Sequence, residues 1–335
     1  MQEIVEVAQT LFAALVFPGL LFILIAAWFT QWFYRKIYAR MQNRVGPRYV
    51  GPFGLLQPIA DFLKLLFKED IVTVVAKEKE PILLLSLGVG AVIALTTMLP
   101  LSPFPLYGDN DIILAVYLSF WPPAVIALLG FMTPNPFSAV GTSRFMTFMV
   151  ACEPMWLISL LVPVVLASRS GVSPTYSLYA TSTSIWGLWS SPIAFITLIL
   201  GLFSAIIILQ CKLMLKPFDI PEAETEIVAG PFTEYSGPKL AYILLLHDTE
   251  LVVYTLLLVF LFLGGPAPFS LLSIPGIILL VAKYVAIVFI LTWIKASTAR
   301  FRIEQALAVL LRYAVPLGVI AIILATFTPL SLLAP

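Results

Sequence analysis

The sequence predicts an all-α integral membrane protein: eight transmembrane helices plus one amphipathic helix lying at the cytoplasmic interface. Three observations predict it. Of 335 residues, 61% are hydrophobic and only 11% charged, whereas a soluble domain carries roughly 25% charge. The apolar residues form runs long enough to cross a bilayer, which takes about 20 residues per helix. The basic residues fall on alternate connections, as in a chain threaded back and forth. Residues 1–335 read as a single membrane domain with structured cytoplasmic loops at 34–81, 212–239 and 295–307.

Taken in order, the first span is expected at 10–33. Glu3 and Glu6 precede it in place of a basic n-region, so it reads as a retained helix and not a cleaved leader. The following segment is more than a loop. In "GPFGLLQPIADFLKLLFKED", Leu55, Leu56, Ile59, Phe62, Leu63, Leu66 and Phe67 recur at helical spacing, while Asp61, Lys64 and Lys68 fall mainly on another face. That pattern suits a helix lying on the membrane surface, with membrane lipid as its partner.

Further spans are expected at 82–101, 112–132, 145–166, 193–215, 240–263, 272–294 and 308–331. Pro18, Pro122, Pro123, Pro154, Pro163 and Pro316 lie within or near them. Such prolines are tolerated where neighbouring helices satisfy the freed carbonyls. The connection 167–192, rich in Ser, Thr and Tyr, reads as a capping loop. The connection 212–239 crowds Asp219, Glu222, Glu224, Glu226 and Glu234 among Phe, Ile, Val, Pro and Gly, a mixture that suggests a folded segment. Seventeen of the nineteen Lys and Arg residues fall on one set of connections; Arg169 alone lies on the other, and Lys283 sits within the seventh span. Both termini are therefore expected on the extracytoplasmic side of a multi-pass cell-membrane protein.

The most informative residues are ionisable ones inside spans: Glu153 in "FMVACEPMW", His247, Asp248 and Glu250 in "LLLHDTELVVY", and Lys283. Facing lipid, each would cost roughly 2.5–3.5 kcal/mol, so they should face the interior, a watery cavity or a partner. Asp248 and Glu250 are two residues apart and point to different sectors of their helix, which suits separate proton or ion stations. His247 reads equally as a relay or as a structural hydrogen-bonding group. Lys283 is expected to pair with one of the carboxylates, without the sequence saying which. Cys152 and Cys211 read as buried structural thiols.

No catalytic constellation is present: there is no phosphate-binding loop, no GxSxG and no HExxH. No cysteine or histidine pattern suits a haem, an iron–sulfur cluster or another metal. The net charge of +1 gives no reason to expect a nucleic-acid partner. By themselves the residues describe an ion-conducting or transporter-like bundle with a structured cytoplasmic face.

Three blocks narrow this: "RKIYARMQNRVGPRYVGPFGLLQPIADFLKLLFKED" (35–70), "KPFDIPEAETEIVAGPFTEYSG" (216–237) and "ARFRIEQ" (299–305). Together they resemble the membrane H-subunit family of respiratory complex I, with its homologues in membrane-bound nickel–iron hydrogenases and related archaeal complexes. The resemblance covers essentially the whole chain. It implies a non-catalytic subunit of an oxidoreductase complex that anchors the peripheral arm and links electron transfer to proton or sodium transport. The implied partners are the iron–sulfur small subunit, the large catalytic subunit, and antiporter-like and small membrane subunits. Iron–sulfur clusters, and a NiFe centre in hydrogenase members, would belong to those partners, with no cofactor held by this chain alone.

Carried over by position, the resemblance assigns Arg40, Arg44, Arg48, Gln57, Asp61 and Lys64 to a docking surface and chamber rim. It assigns Asp219, Glu222, Glu224, Glu226 and Glu234 to an acidic funnel, and makes Glu153 the span glutamate of the ion path. Arg300, Arg302 and Glu304 match the arginine-rich segment after the seventh span. Some features resemble the hydrogenase-type members more: Tyr34-Arg35-Lys36 where quinone-type members usually read Glu-Arg-Lys, "NPFSAVGTSR" at 135–144, Cys152 before the span glutamate, and no proline before Arg300. The expectation is a hydrogenase- or sulfur-reductase-type complex. The alternatives are the quinone-chamber subunit of a complex I-like quinone oxidoreductase and a structural anchor without a direct ion path.

Overall fold

A computed structural model describes residues 2–73, 77, 79–102 and 108–328, apart from the side chains of 2–5 and 224. The described residues are helical or irregular, with no β-strand among them. Among the described residues, eight helical stretches are long and apolar enough to span a membrane.

The first stretch is two helices, α1 (Gln2–Leu15) and α2 (Leu20–Met41), and not the single span expected at 10–33. The break falls at Phe17-Pro18-Gly19, where proline removes a helix donor and the glycine backbone packs onto Ala14. After a 3₁₀ turn at Pro52–Gly54 comes the interfacial helix α3 (Gln57–Leu66), opened by Pro58 in its first turn. Then follow α4 (Glu80–Met98) and α5 (Asp111–Phe131). Next is α6 (Pro136–Arg169), which starts earlier than the expected 145. Asn135 caps it by accepting the Phe137 N–H at 2.8 Å, and Pro136 sits at the first helical position. The polar run "NPFSAVGTSR" masked those turns in the sequence.

The expected capping loop 167–192 contains a helix, α7 (Leu178–Leu188). Its Ser and Thr side chains return hydrogen bonds to carbonyls of their own turn, such as Thr181 to Ser177 and Ser184 to Ala180. Leu178, Ile185 and Leu188 are buried, with α7 packing against α6 and α10. The chain continues through α8 (Pro192–Lys212), the single turn α9 (Glu224–Ile227), α10 (Gly237–Leu263) and α11 (Ile274–Ser297). The last stretch joins α12 (Ile303–Val309) to α13 (Val315–Phe327) through a π-helical turn at Leu310–Ala314. Residues 329–331 of the expected eighth span lie outside the described residues.

The core is organised around α10. Buried residues make up 78% of its most apolar window, against 50% or less in the other seven stretches. It packs against α2, α3, α4, α7 and α11, while α6, α8 and α13 form a second packed group. Proline-freed carbonyls are used as joints. Pro123 cannot donate to Ser119 O, which instead accepts the buried Tyr254 hydroxyl from α10 at 2.8 Å. At the end of the π turn, Ser204 Oγ of α8 donates to Ala314 O at 2.8 Å.

Candidate functional site

The site is built first on α2, whose 3.6-residue repeat sorts its polar residues into stripes. Trp28, Trp32 and Lys36 hold the 47–55 loop. The Trp28 indole donates to Leu55 O, the Trp32 indole to Phe53 O at 3.2 Å, and Lys36 to Pro47 O and Phe53 O at 2.9 and 2.8 Å. Gln31 and Arg35, one turn apart, face α10 and α3. Gln31 donates to Asp248 Oδ1 at 2.6 Å, and Arg35 pairs with Asp61 at 2.5 Å. Gln57 donates to the other Asp61 oxygen at 2.8 Å. Thr30, Tyr34 and Tyr38 face α11, where the Thr30 and Tyr284 hydroxyls meet at 2.6 Å. Lys295 lies 4.5 and 5.3 Å from the Tyr34 and Tyr38 ring centres, within cation–π range.

Between α2, α3 and α10 these contacts enclose a cavity of about 310 Å³. Leu24, Trp28, Ile59, Phe62, Leu65 and Leu244 supply apolar wall, and Arg35, Asp61 and Asp248 supply the charged groups. Arg35 and Gln31 stand out only once folded, because in the sequence Arg35 is one member of a basic run and Gln31 one amide in a span.

A second cluster lies deeper. Lys212, at the end of α8, pairs with Glu153 of α6, and both side chains are largely buried. The ammonium also lies 5.1 Å from the Tyr254 ring centre and 5.9 Å from that of Trp156. Glu250 sits one turn before Tyr254 on α10, and its buried Oε1 has no hydrogen-bond partner among the described residues. In the sequence Lys212 is one more charge on a cytoplasmic connection; its placement between "IIILQC" and "LML" is the available signal of burial. His247, on the same helix, likewise has a buried Nδ1 without a partner among the described residues.

The acidic connection is folded, and it is clamped from three sides. Arg300 makes a two-pronged contact to Asp219 at 3.0 and 2.7 Å and reaches Thr225 at 3.3 Å. Phe301 N–H donates to Pro217 O at 3.1 Å, with Phe218 and Phe301 stacked edge-on. Arg144 of α6 pairs with Glu226 at 2.7 Å, and Asn135 binds Glu234. Tyr235 donates to Leu129 O at 2.8 Å, and burial raises its pKa above the ordinary phenol value. Glu222 lies within electrostatic reach of both Glu250 and Lys295. The Glu224 side chain lies outside the described residues. On the neighbouring flank, Lys239 pairs with Asp70 at 3.0 Å, and Ser236 Oγ accepts the Ile71 N–H at 2.9 Å.

The remaining expected residues are placed elsewhere. Lys283 joins no carboxylate among the described residues. Its ammonium donates to Leu263 O, Gly265 O and Ala267 O at 2.7, 2.9 and 2.8 Å, closing the end of α10, and lies 4.4 Å from the Trp186 ring centre. Arg40, Arg44, Arg48, Lys64, Arg302 and Glu304 are exposed. Among the described residues no group of three or more His, Cys, Asp or Glu side chains could hold a metal ion.

The family model described as NADH dehydrogenase matches residues 13–326. The chain is 33% identical over 313 residues to the H subunit of an NADH-quinone oxidoreductase of Thermomicrobium roseum, covering 88% of this chain and 89% of that one. It is 31% identical over 294 residues to the protein of the same name from Geobacillus kaustophilus, covering 87% and 85%. Among solved structures, a chain of the membrane-bound sulfane sulfur reductase, an archaeal respiratory membrane complex, superposes with a TM-score of 0.75 at 25% identity. That match covers 95% of this chain and 99% of the other.

Proposed function

The chain belongs to the NADH dehydrogenase family of H-type membrane subunits, and from that premise we propose that it is the chamber and coupling subunit of a complex I-like quinone oxidoreductase. The observation that carries this reading is the cavity between α2, α3 and α10. Its volume and its few charged groups on an apolar wall match a site for a small lipophilic molecule. A quinone taking up two electrons also takes up two protons, and Asp61 and Asp248 are carboxylates on the cavity wall. Arg35, paired with Asp61 at 2.5 Å, holds that carboxylate at the wall. The electrons would come from an iron–sulfur partner docked on the exposed Arg40, Arg44, Arg48, Lys64 and Arg302.

Coupling would run from that cavity through the acidic connection to Glu250 and the Glu153–Lys212 pair, and then sideways to antiporter-like subunits. The cytoplasmic placement of loops 34–81, 212–239 and 295–307 belongs to the same reading.

Substituting Leu244→Trp, an exposed cavity-lining residue, fills the space without disturbing the core. In the intact purified complex, L244W should raise the KM for a water-soluble quinone analogue several-fold. An unchanged quinone KM together with insensitivity to quinone-site inhibitors would overturn the chamber role.

A second reading is a sulfur-reductase-type complex. It is favoured by the near end-to-end superposition on the archaeal chain and by Tyr34 at the position where quinone-type members usually read Glu. Mass spectrometry of the co-purifying subunits, with acceptor assays on the same sample, separates the two.

A further inference from the structure

Cys152 and Cys211 are the only cysteines of the chain. They lie on different helices, α6 and α8, and both are buried. Their sulfurs approach to 2.7 Å. A disulfide needs its sulfurs at about 2.05 Å, with the two Cβ atoms brought within about 4.5 Å. The helix–helix contact holds the two sulfurs within about 0.7 Å of that bond length. Each cysteine is also the chain neighbour of a member of the buried ion pair: Cys152 precedes Glu153, and Cys211 precedes Lys212.

We propose that Cys152 and Cys211 form a reversible dithiol–disulfide couple that clamps α6 to α8 beside the Glu153–Lys212 pair. The oxidant is a hydroperoxide. One thiolate attacks the peroxide oxygen, breaking the O–O bond to give a sulfenic acid and releasing water after protonation. The second thiol attacks that sulfur, expelling a second water and forming the S–S bond. The sum is two thiols and one hydrogen peroxide giving one disulfide and two waters. Once the α6–α8 contact opens, a dithiol reductant reverses it by exchange through a mixed disulfide.

Access is narrow. Cys152, Cys211, Glu153 and Lys212 share a cavity of about 10 Å³ with Phe148 and Pro123, a space on the scale of a single water. Oxidation therefore waits on a local parting of α6 from α8, which admits a molecule of two oxygens sooner than a bulky alkylating reagent, so oxidation by hydrogen peroxide should outrun alkylation of the folded chain. Glutathione is excluded on the same ground, leaving the neighbouring thiol as the group that resolves the sulfenic acid.

The inference does not rest on the coupling role, and its test reads chemistry instead of turnover. The intact complex in detergent is treated with hydrogen peroxide, denatured, and alkylated with a maleimide that adds a fixed mass per thiol. The expected count on this chain falls from two to zero without chain-to-chain cross-links and returns to two after dithiothreitol. A peptide pair joined through residues 152 and 211 should appear in the digest. A count of zero before peroxide that returns to two on reduction supports the same couple, isolated in its oxidised state. In C152S and C211S, neither of which removes a group from the ion pair, the remaining thiol should be driven to sulfinic acid with no recovery by dithiothreitol. The proposal is overturned if the wild-type count stays at two under peroxide, falls without recovery on reduction, or falls only through cross-links to other subunits.

Discussion

Lys212 shows how much one side chain can carry in a bilayer. Its ammonium is neutralised by Glu153 and bracketed by the faces of Trp156 and Tyr254. Removing one partner of a buried pair leaves an uncompensated charge and costs about 3–5 kcal/mol. K212M should therefore lower the thermal midpoint of the complex sharply, whereas K212M/E153Q should recover most of the loss. Equal loss in the single and double variants would show that the pair is not coupled. E153Q alone retains the aromatic faces around Lys212 and should cost less. On the proposed coupling role, E153Q keeps electron transfer and lowers the ions moved per electron; an unchanged ratio removes Glu153 from the path. Lys283 makes the contrasting case, since its three carbonyl contacts are those of a helix cap.

At the scale of elements, the acidic connection is positioned by close backbone approach. A Cβ on Gly141 of α6 would lie 2.6 Å from Gly230 Cα and 2.8 Å from Pro231 Cδ. Exchanging glycine for alanine within a helix ordinarily stabilises it by about 1 kcal/mol. Here the overlap should win, since overpacking costs about 1–3 kcal/mol. G141A should lower the melting midpoint and open residues 213–236 to limited proteolysis. G90A, whose Cβ meets nothing within 4 Å, serves as the control and should melt at or above the wild-type midpoint. The Asp219–Arg300 contact ties the same connection to the segment after α11. R300K keeps the charge and loses the two-pronged geometry, so it should loosen that segment with no change in net charge, read by hydrogen exchange at 298–302.

At the scale of the whole molecule, eight stretches long enough to span would return the chain to the side on which it began, and the proposed orientation puts that side outside, with the basic connections in the cytoplasm. Single cysteines placed at exposed positions check this in sealed cells. S190C should react with an impermeant maleimide from outside, and K68C only after the membrane is opened. The reverse pattern would invert the assigned orientation. The burial of α10 sets the surroundings of its four polar residues from His247 to Glu250. Neighbours surround this helix, so each polar group there meets protein or a cavity instead of lipid.

The sequence by itself determined the all-α class, the eight apolar stretches, the interfacial helix, the unusual acidic connection and the ionisable residues within spans. Each of those is a local property: a run of about 20 apolar residues, a helical repeat or a charge among apolar neighbours is complete without its partners. The tertiary structure decided what the sequence could not order. It joined Glu153 to Lys212 across 59 residues, Gln31 to Asp248 across 217 and Cys152 to Cys211 across 59. It also turned Lys283 onto the backbone carbonyls at the end of α10 and made a helix of the Ser- and Thr-rich connection at 178–188. Those outcomes depend on which helix faces meet, and in a chain apolar on nearly every face the hydrophobic pattern does not choose between them. Steric fit and the need to pair each buried polar group make that choice.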